Sequence, residues 1–401
     1  MMSKKILLLG GSKYLVAAIN VIHDLGYEAI TCDYYPWNHA HKYSDQFENL
    51  SVVDKEEVLK VAVREQIEGI MAFACDPGVA TAAYVAQQMG LPSCGSYESV
   101  SILQNKKRFR RFLSENGFNI PASGGFSNFN EAKSFLDQIA FPVIVKPADS
   151  AGSKGVRRVE RYADMEAAVE NALKYSIGGE FIVEEYLTPI GHPSDSECFS
   201  VSGDLKFASF SSQYFDISSK NPYGPVGFTW DPTISEKNRN ELSNEIGRLI
   251  KLLNLDTSLY NAETRECTDG KAYIMELSPR GGGNRLAEMI RYAMGVDLIK
   301  AAVCAALGRT VDISPTHEND GLWAEIIIHG NKNGKFESLQ INEAVKKYVV
   351  EEDLWVKKGD SVMEYTGSDR TFGTLVLHFD DRDLMNKVMD DPSEYVKVDI
   401  I

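Results

Sequence analysis

The sequence lacks the features that mark several common classes of protein. No apolar run is long enough to cross a membrane as a helix, and the run after Lys5 is too short for the hydrophobic region of a signal peptide. The six cysteines are scattered, with no CxxC pair and no Cys/His cluster, so we expect reduced thiols packed as small hydrophobic groups. These absences favour a cytoplasmic protein without a disulfide framework or a zinc site.

Two nucleotide-binding motifs and an excess of positive charge are also missing. The GxxxxGK[ST] motif of P-loop proteins occurs nowhere, and Gly10-Gly11-Ser12 does not fit the GxGxxG of dinucleotide-binding domains. A P-loop fold is therefore excluded and a nicotinamide oxidoreductase is disfavoured. The net charge of −15 argues against a general binder of nucleic acid or acidic membranes. An anionic ligand would have to be held by a local group of cations.

The hydrophobic pattern divides the 401 residues into several regions. Residues 4 to about 95 alternate strand-like and helix-like runs, which is typical of an open parallel sheet with helices on both faces. Residues 120 to about 190 continue the alternation, and residues 195–277 add hairpins, an irregular aromatic loop and one long helix. The tail reads as a small separate lobe of short strands, at Leu322–His329, Val345–Val350, Ser361–Tyr365 and Thr374–Phe379.

We therefore predict a multidomain fold of mixed α/β and α+β class. A Rossmann-like N-terminal domain is expected to precede a two-part middle domain and a small C-terminal β-rich lobe. The predicted boundaries are 1–100, 101–312 and 313–401, and the middle domain divides into about 118–190 and 191–312.

Two features leave alternatives open. Residues 99–117 look helical, with five basic side chains within residues 105–111. The basic side chains have three alternative interpretations. They can signal nucleic-acid binding or nuclear localisation, which conflicts with the acidic net charge of the chain; they can cover a solvated helix face; or one lysine can bind a phosphate.

Aromatic residues of the irregular loop either line a substrate pocket or pack the loop onto the core; they are Tyr214, Phe215, Tyr223, Phe228 and Trp230.

Two carboxylates at the ends of consecutive strand-like runs give the strongest chemical signal. Glu263 ends one run and Glu276 nearly ends the next, with a turn at residues 267–270 between them, so the two strands can pair antiparallel and point both carboxylates the same way. Arg280 and a run of three glycines follow. Hard oxygen ligands suit magnesium, while a fixed cation and backbone N–H groups suit phosphates. The pattern predicts an enzyme that uses ATP.

Further signals for a nucleotide lie upstream. Lys146 is near the end of an apolar strand-like run and precedes a small polar loop at residues 149–155, which can close over phosphates. The next apolar run ends in Glu184-Glu185-Tyr186-Leu187, where a carboxylate and backbone groups can meet an adenine edge. Taken alone, these features are more typical of a surface lysine, a hairpin loop and two solvated glutamates, and it is the adjacency of Lys146 and the loop that favours a nucleotide site.

In their order along the chain, these pieces resemble the ATP-grasp superfamily of ligases. The resemblance covers essentially the whole chain and predicts a Rossmann-like domain, a two-part grasp and a small C-terminal β-lobe. It rests on six motifs in the expected order and spacing: residues 105–106, 142–147, 150–156, 183–187, 263–265 and 276–283.

The resemblance implies a role for each matching residue. Arg280 is expected to be catalytic, steadying the transferring phosphate. The implied magnesium ligands are Glu263, Glu276 and Ser278. The implied ATP-binding residues are Lys106 and Lys146 on the phosphates, Ser150, Ser153 and Gly155 in a mobile lid, Glu184 on the adenine amino group, Glu185, Tyr186 and Leu187 in the hinge, and Glu197 near the ribose or the substrate.

One position departs from the family pattern. The family usually has Glu-x-Asn-Pro-Arg around the second magnesium carboxylate, whereas this chain has Ser278 in place of the asparagine. A serine is shorter and a poorer neutral ligand than an asparagine carbonyl. The number of metal ions, one or two, is therefore open, and Asn284 or water are candidates to complete the second site.

We expect an ADP-forming ligase that joins a small carboxylate to an amine through an acyl-phosphate, with ATP and Mg²⁺ or Mn²⁺. The chain looks most like amino-acid ligases and glycinamide-ribonucleotide-synthetase-like proteins, with carbamoyl-phosphate-synthase-like proteins and purine-pathway carboxylases as close alternatives. A non-catalytic ATP-binding protein is a weaker alternative. The expected partners are small-molecule carboxylate and amine substrates, with neither nucleic acid nor membrane; a homodimer is left open.

Overall fold

Residues 4–318 and 321–401 are described by the computed structural model of the protein. The N-terminal part contains β1 (Lys5–Leu9), α1 (Val16–Asp24), β2 (Glu28–Cys32), β3 (Gln46–Glu48), α2 (Lys55–Glu65), β4 (Gly69–Ala72) and α3 (Asp76–Met89). Its four strands form a parallel sheet in the order β3-β2-β1-β4. Four consecutive residues of β1, from Ile6 to Leu9, are fully buried, as expected of a parallel strand covered on both faces.

The stretch over residues 99–117 that is expected to be helical contains two helices. α4 (Tyr97–Gln104) ends at Asn105, whose backbone is extended, and α5 (Lys106–Glu115) begins immediately after it. The Asn105 side chain accepts a hydrogen bond from the N–H of Arg108 at 3.0 Å, which is the N-cap arrangement. The break places Lys106 at the first position of a new helix.

The middle of the chain forms two antiparallel sheets. The first contains β5 (Ser123–Phe126), α6 (Phe129–Leu136), β6 (Val143–Pro147), β7 (Arg157–Val159), α7 (Met165–Tyr175) and β8 (Phe181–Glu185), in the strand order β5-β8-β6-β7. The second contains β9 (Ser194–Val201), β10 (Asp204–Ala208), α8 (Glu236–Leu252), β13 (Ser258–Glu266) and β14 (Ala272–Ser278), in the order β10-β9-β13-β14, after which the chain continues into α9 (Leu286–Met294) and α10 (Leu298–Ala306). Within this region, β11 (Ser212–Phe215) and β12 (Pro225–Thr229) belong to a different sheet.

The C-terminal strands share a sheet with two strands from the middle of the chain. The elements are β15 (Leu322–His329), β16 (Gly334–Ile341), α11 (Glu343–Lys346), β17 (Val349–Leu354), β18 (Ser361–Val362), β19 (Thr371–Phe379), α12 (Arg382–Asp390), α13 (Pro392–Tyr395) and β20 (Val396–Ile400). The main sheet has the order β11-β12-β15-β19-β17, so two of its strands come from the middle of the chain. This sheet draws strands from both sides of the predicted domain boundary at 312/313. The boundary itself remains a prediction.

The aromatic segment before Trp230 consists of the paired strands β11 and β12, joined by a loop at residues 216–224. Phe228 lies directly opposite Glu325 on β15 and is fully buried, and Trp230 is 3% exposed. Both belong to a core cluster that also contains Phe73 and Ile290. For Phe228 and Trp230, packing onto the core is therefore the correct interpretation. No helix within the described ranges is long and apolar enough to cross a bilayer.

We predict that Asn105→Ala lowers the free energy of unfolding by about 1 kcal/mol, because the N–H of Arg108 loses its side-chain acceptor. Urea denaturation of the variant and the wild type measures the difference. Asn105→Asp keeps an acceptor oxygen and should restore most of the loss. Equal unfolding free energies for the wild type and Asn105→Ala would contradict the capping role.

Candidate active site

Three neighbouring strands of the second antiparallel sheet bring polar side chains to one face. Directly opposed residues on antiparallel strands point the same way, as do residues two positions apart along one strand. The register of β9, β13 and β14 therefore creates two parallel rows. The first row is Asp195, Glu263 and Glu276, and the second row is Glu197, Asn261 and Ser278.

Glu263 and Glu276 face each other directly across β13 and β14, as the sequence analysis anticipated. Their side chains remain 34% and 44% exposed. Arg265 donates to Glu263 at 2.8 Å. Burial raises the pKa of Glu263, but Arg265 and Lys146 outweigh that effect and lower it overall.

This carboxylate pair fits a magnesium ion. Magnesium takes oxygen ligands and fills the rest of its octahedral shell with water and substrate phosphates. Within the described part of the chain, no three His, Cys, Asp or Glu side chains form a complete metal site. The remaining ligands of an ion at Glu263 and Glu276 would therefore come from water and from the phosphates of a bound nucleotide.

Asp195 and Glu197 are two acidic side chains beside this pair. Glu197 is fully buried, and its Oε1 accepts from the N–H of Gly282 at 2.6 Å, whereas Oε2 has no partner among the described residues. Burial raises the pKa of Glu197 to about 8, and burial together with Glu263 raises that of Asp195 to about 7. Asp195 was not singled out from the sequence, although its position two residues before Glu197 on a strand is the signal that could have found it.

Arg280 is clamped to the N-terminal part of the protein. Its Nε and Nη2 donate to the two carboxylate oxygens of Asp76 at 2.8 and 2.7 Å, and Asp76 is the first residue of α3. Burial opposes the charge on Arg280, but Asp76 and two nearby carboxylates raise its pKa overall. Ser278 joins this cluster: its hydroxyl donates to Asp76 at 2.9 Å and accepts from Gln104 at 2.8 Å. Its predicted role as a metal ligand remains a prediction.

Lys106 connects the two halves of the middle region. Its backbone N–H donates to the carbonyl of Ala148 at 2.7 Å. Its Nζ lies 2.8 Å from Glu276 and donates to the carbonyl of Ser150 at 2.9 Å. The lysine predicted to bind phosphate therefore contacts both a predicted magnesium carboxylate and the predicted lid.

A buried ion cluster surrounds Glu184. Its side chain is 2% exposed, with Oε1 accepting from Arg110 at 2.6 Å and Oε2 lying 2.7 Å from Lys146. Burial alone would raise the pKa of Glu184, but Arg110 and Lys146 overcome this and lower it to about 2. Arg110 itself is 3% exposed, so the solvated-face interpretation is wrong for this member of the basic run. Residues of the run on the other side of α5 do pair at the surface, as Arg111 does with Glu115.

The hinge after β8 attaches the first antiparallel sheet to the second. Glu185 is exposed and exchanges hydrogen bonds with Ala122, through both its backbone and its carboxylate. The Tyr186 ring lies under the Arg158 guanidinium at 4.1 Å. Leu187 packs with Tyr273 and Met275 of β14. Adenine contacts of these residues remain predictions.

The loop at residues 150–155 is anchored at two points. Besides the contact of Ser150 with Lys106, the hydroxyl of Ser153 donates to the carbonyl of Tyr223 at 3.1 Å. Gly155 has a φ of +76°, and a Cβ there would approach Pro147 and Tyr175 to within 2.9 Å, so only glycine fits. The loop thus bridges from the predicted phosphate lysine to the segment between β11 and β12.

Comparison with known proteins identifies part of this architecture. Residues 139–288 match the family model described as "ATP-grasp domain", and proteins of this family use ATP and magnesium. The carbamoyl phosphate synthase large chain of Thermoanaerobacter sp. (strain X514) is 24% identical over 325 residues, which cover 77% of this chain and 28% of that protein. The chain therefore spans less than a third of the length of that curated relative.

Two solved structures share the fold along the whole chain. The L-amino acid ligase from Bacillus licheniformis superposes with a TM-score of 0.80 at 18% identity, and the phosphoribosylglycinamide synthetase from Anaerococcus prevotii with a TM-score of 0.77 at 18% identity. Each comparison covers 100% of both chains. The expected fold class and the resemblance to the ATP-grasp superfamily are confirmed.

We predict that Glu184→Gln lowers the free energy of unfolding at neutral pH by about 3–5 kcal/mol, because it leaves Arg110 and Lys146 buried without their counter-charge. The pKa of Glu184 falls from an ordinary 4.5 to about 2 on folding, so its stabilisation is present above pH 4.5 and is lost as the pH falls toward 2. In urea titrations, the difference in the free energy of unfolding between the wild type and the variant should therefore shrink as the pH falls from 4.5 toward 2. The matched control is Glu185→Gln at the exposed neighbour, which should change the free energy of unfolding little. A difference between the wild type and Glu184→Gln that does not vary with pH would contradict the ionic role of Glu184.

Proposed function

We propose that the chain, whose residues 139–288 match the ATP-grasp family model, is an ATP-dependent carboxylate–amine ligase. A carboxylate oxygen of the first substrate attacks the γ-phosphorus of ATP, giving an acyl-phosphate and ADP. The amine nitrogen of the second substrate then attacks the acyl carbon, phosphate leaves, and the nitrogen loses a proton to give an amide. The substrate class that we favour is amino acids.

The ion pair between Lys106 and Glu276 carries the proposal. A lysine suited to a phosphate and a carboxylate suited to magnesium hold each other at 2.8 Å, and the same lysine contacts the loop carbonyl of Ser150. Magnesium is a cation and a polyphosphate is an anion. Glu276 can therefore exchange Lys106 for magnesium, and Lys106 can exchange Glu276 for a phosphate, so that neither charge loses its compensation.

The other charged groups have defined tasks in this scheme. Lys146, oriented by Glu184, is the second cation for the phosphates. Held by Glu263 and Glu276, magnesium would neutralise the charge that develops as the phosphoryl group moves. The protein's own contribution is to position the reactants and to supply fixed charges around the transferring group.

The Arg280–Asp76 pair supports amino acids as substrates. A bidentate guanidinium–carboxylate contact sits beside the carboxylate rows, with the Arg280 side chain 10% exposed and the Asp76 side chain 26% exposed. A zwitterion presents both charges needed to separate such a pair: its carboxylate suits Arg280, and its ammonium suits Asp76. A substrate with an anionic end alone would satisfy the arginine and leave the aspartate unpaired.

We predict that a mixture of L-amino acids stimulates release of ADP and phosphate from Mg-ATP. With hydroxylamine replacing the amine, the acyl-phosphate should be trapped as an acyl-hydroxamate, which a ferric chloride assay detects. AMP and pyrophosphate as products would exclude the acyl-phosphate route. Stimulation by bicarbonate in place of an organic carboxylate would instead favour the carboxylase alternative, and the absence of any stimulated turnover would favour a non-catalytic ATP-binding protein.

We also predict different kinetic defects for two variants. Glu276→Gln should lower kcat by about 100-fold or more while binding of ATP persists, because a metal ligand acts most strongly where charge develops in the transition state. Lys146→Met should raise the KM for ATP, because its charge acts on the bound ground state as well. Glu160→Gln, at an exposed side chain, is the control and should leave both constants unchanged. Near-normal kcat in Glu276→Gln would contradict its role in metal binding.

A further inference from the structure

A chain of hydrogen bonds runs from the last residue of α4 to Arg280. The Gln104 amide donates through Nε2 to the hydroxyl of Ser278 at 2.8 Å, and that hydroxyl donates to Oδ1 of Asp76 at 2.9 Å. Asp76 in turn accepts from Nε and Nη2 of Arg280 at 2.8 and 2.7 Å. The four side chains come from α4, the end of β14, the start of α3 and the segment after β14, so the chain joins elements that are distant in sequence.

The number of available protons fixes the direction of each hydrogen bond in this chain. A guanidinium only donates, a carboxylate paired with it accepts, and a hydroxyl has one proton to donate. The proton of Ser278 is therefore used on Asp76, and Gln104 has to present its amide nitrogen to the serine. The orientation of the Gln104 amide is thus determined by the Arg280–Asp76 pair, although Gln104 contacts neither member of that pair directly.

Ser278 is placed and bonded in a way that suits a brace better than a metal ligand. The residue is 6% exposed, and its hydroxyl uses its proton on Asp76 and one lone pair on Gln104. It lies in the second row of the site, whereas Glu263 and Glu276 face each other in the first row, offset by two residues or about 7 Å along each strand. A metal ion held between Glu263 and Glu276 therefore does not need Ser278.

Without this brace, the clamp on Arg280 would be free to change its geometry. The Asp76 side chain is 26% exposed, so water competes for its carboxylate oxygens. The hydrogen bond from Ser278 holds Oδ1 at the point where the Nε of Arg280 also reaches it. If that bond were lost, Asp76 could rotate to other rotamers and the guanidinium would follow. A fixed cation acts on a transferring group only while it is correctly oriented.

The break between α4 and α5 makes this contact possible. Gln104 ends α4 and Lys106 begins α5, with the extended Asn105 between them. In an uninterrupted helix, residues two positions apart point about 200° away from each other. Here both side chains reach β14, since Gln104 contacts Ser278 while Lys106 contacts Glu276 at 2.8 Å. One helix junction therefore serves both rows of the candidate site.

We propose that Gln104 and Ser278 are positioning residues that hold Asp76, and through it Arg280, in the orientation required by the ligase reaction. Ser278 thereby braces the clamp instead of ligating a metal ion, which departs from the role that the family resemblance implies. The inference rests on the proposed ligase function, because Arg280 is the predicted catalytic group of that reaction. The orientation of Arg280 is nevertheless a property of the free protein and can be measured without substrates.

Proton exchange of the Arg280 side chain with water, followed by NMR on the full chain, measures this orientation. The Nε proton is hydrogen-bonded to Asp76 and should exchange slowly in the wild type; its signal is identified by its loss in Arg280→Lys. Ser278→Ala should speed the exchange by about tenfold, and Gln104→Met by a smaller factor. Ser278→Thr keeps the hydroxyl and should restore slow exchange.

The double variant tests whether the two residues act through one chain. Once Ser278→Ala has broken the chain, adding Gln104→Met should change the exchange rate no further. The matched control is Glu98→Gln at an exposed side chain of the same helix α4, which should leave the rate unchanged. Wild-type exchange rates in Ser278→Ala, or additive effects in the double variant, would overturn the proposal.

Metal binding distinguishes a brace from a ligand. Electron paramagnetic resonance of Mn²⁺ with ADP should give the same number of bound ions and the same dissociation constant in Ser278→Ala as in the wild type, whereas Glu276→Gln should weaken binding. A loss of Mn²⁺ affinity in Ser278→Ala as large as that in Glu276→Gln would overturn the positioning role in favour of ligation.

Turnover separates this inference from the ligase proposal. In the ligase assay, Ser278→Ala and Gln104→Met should lower kcat and leave the KM for ATP unchanged, because Arg280 acts on the transferring group. Fast exchange of the Arg280 proton in Ser278→Ala, without stimulated ADP release by any variant or the wild type, would retain the positioning contact and overturn the ligase. Stimulated ADP release at the wild-type kcat in Ser278→Ala would retain the ligase and overturn the positioning role.

Discussion

The pairing register of β9, β13 and β14 is the constraint on which the site depends. Because side chains alternate between the two faces of a strand, a shift of one residue would turn Glu263 or Glu276 to the opposite face. The register is secured by buried neighbours that point the other way, such as Ala262 and Leu277. The core on one side of the sheet thus fixes the positions of the carboxylates on the other.

Charge compensation then determines how the cations are arranged. Lys106, Lys146 and Arg280 each contact a carboxylate, and each of these carboxylates comes from a different part of the chain. Long cationic side chains would otherwise be free to adopt many rotamers. Pairing orients them before a ligand arrives, and fixed charges that need no reorganisation are the most effective kind for stabilising a developing charge.

The features predictable from the sequence were those encoded in short stretches. The facing of Glu263 and Glu276 follows from two strand-like runs with a turn between them, and the N-terminal sheet follows from its apolar periodicity. Asp76 and Arg110 were missed because their importance arises from partners 204 and 74 residues away. The capping of α5 by Asn105 was missed because a basic helical pattern continued across it. The sheet shared by β12 and β15 also depends on a distant pairing, which no local pattern contains.

The clamp between Arg280 and Asp76 has a consequence for how this protein can be divided or recombined. Arg280, the predicted catalytic residue, takes its orientation from a helix of the N-terminal part of the chain, so that part contributes to the geometry of the candidate site as well as to the scaffold. Exchanging the N-terminal part for the equivalent part of a relative would preserve the orientation of Arg280 only if the new helix also began with a carboxylate at the same point. The two parts of the chain therefore cannot be exchanged independently of this one pair of side chains, and substitutions of Arg280 and of Asp76 should occur together.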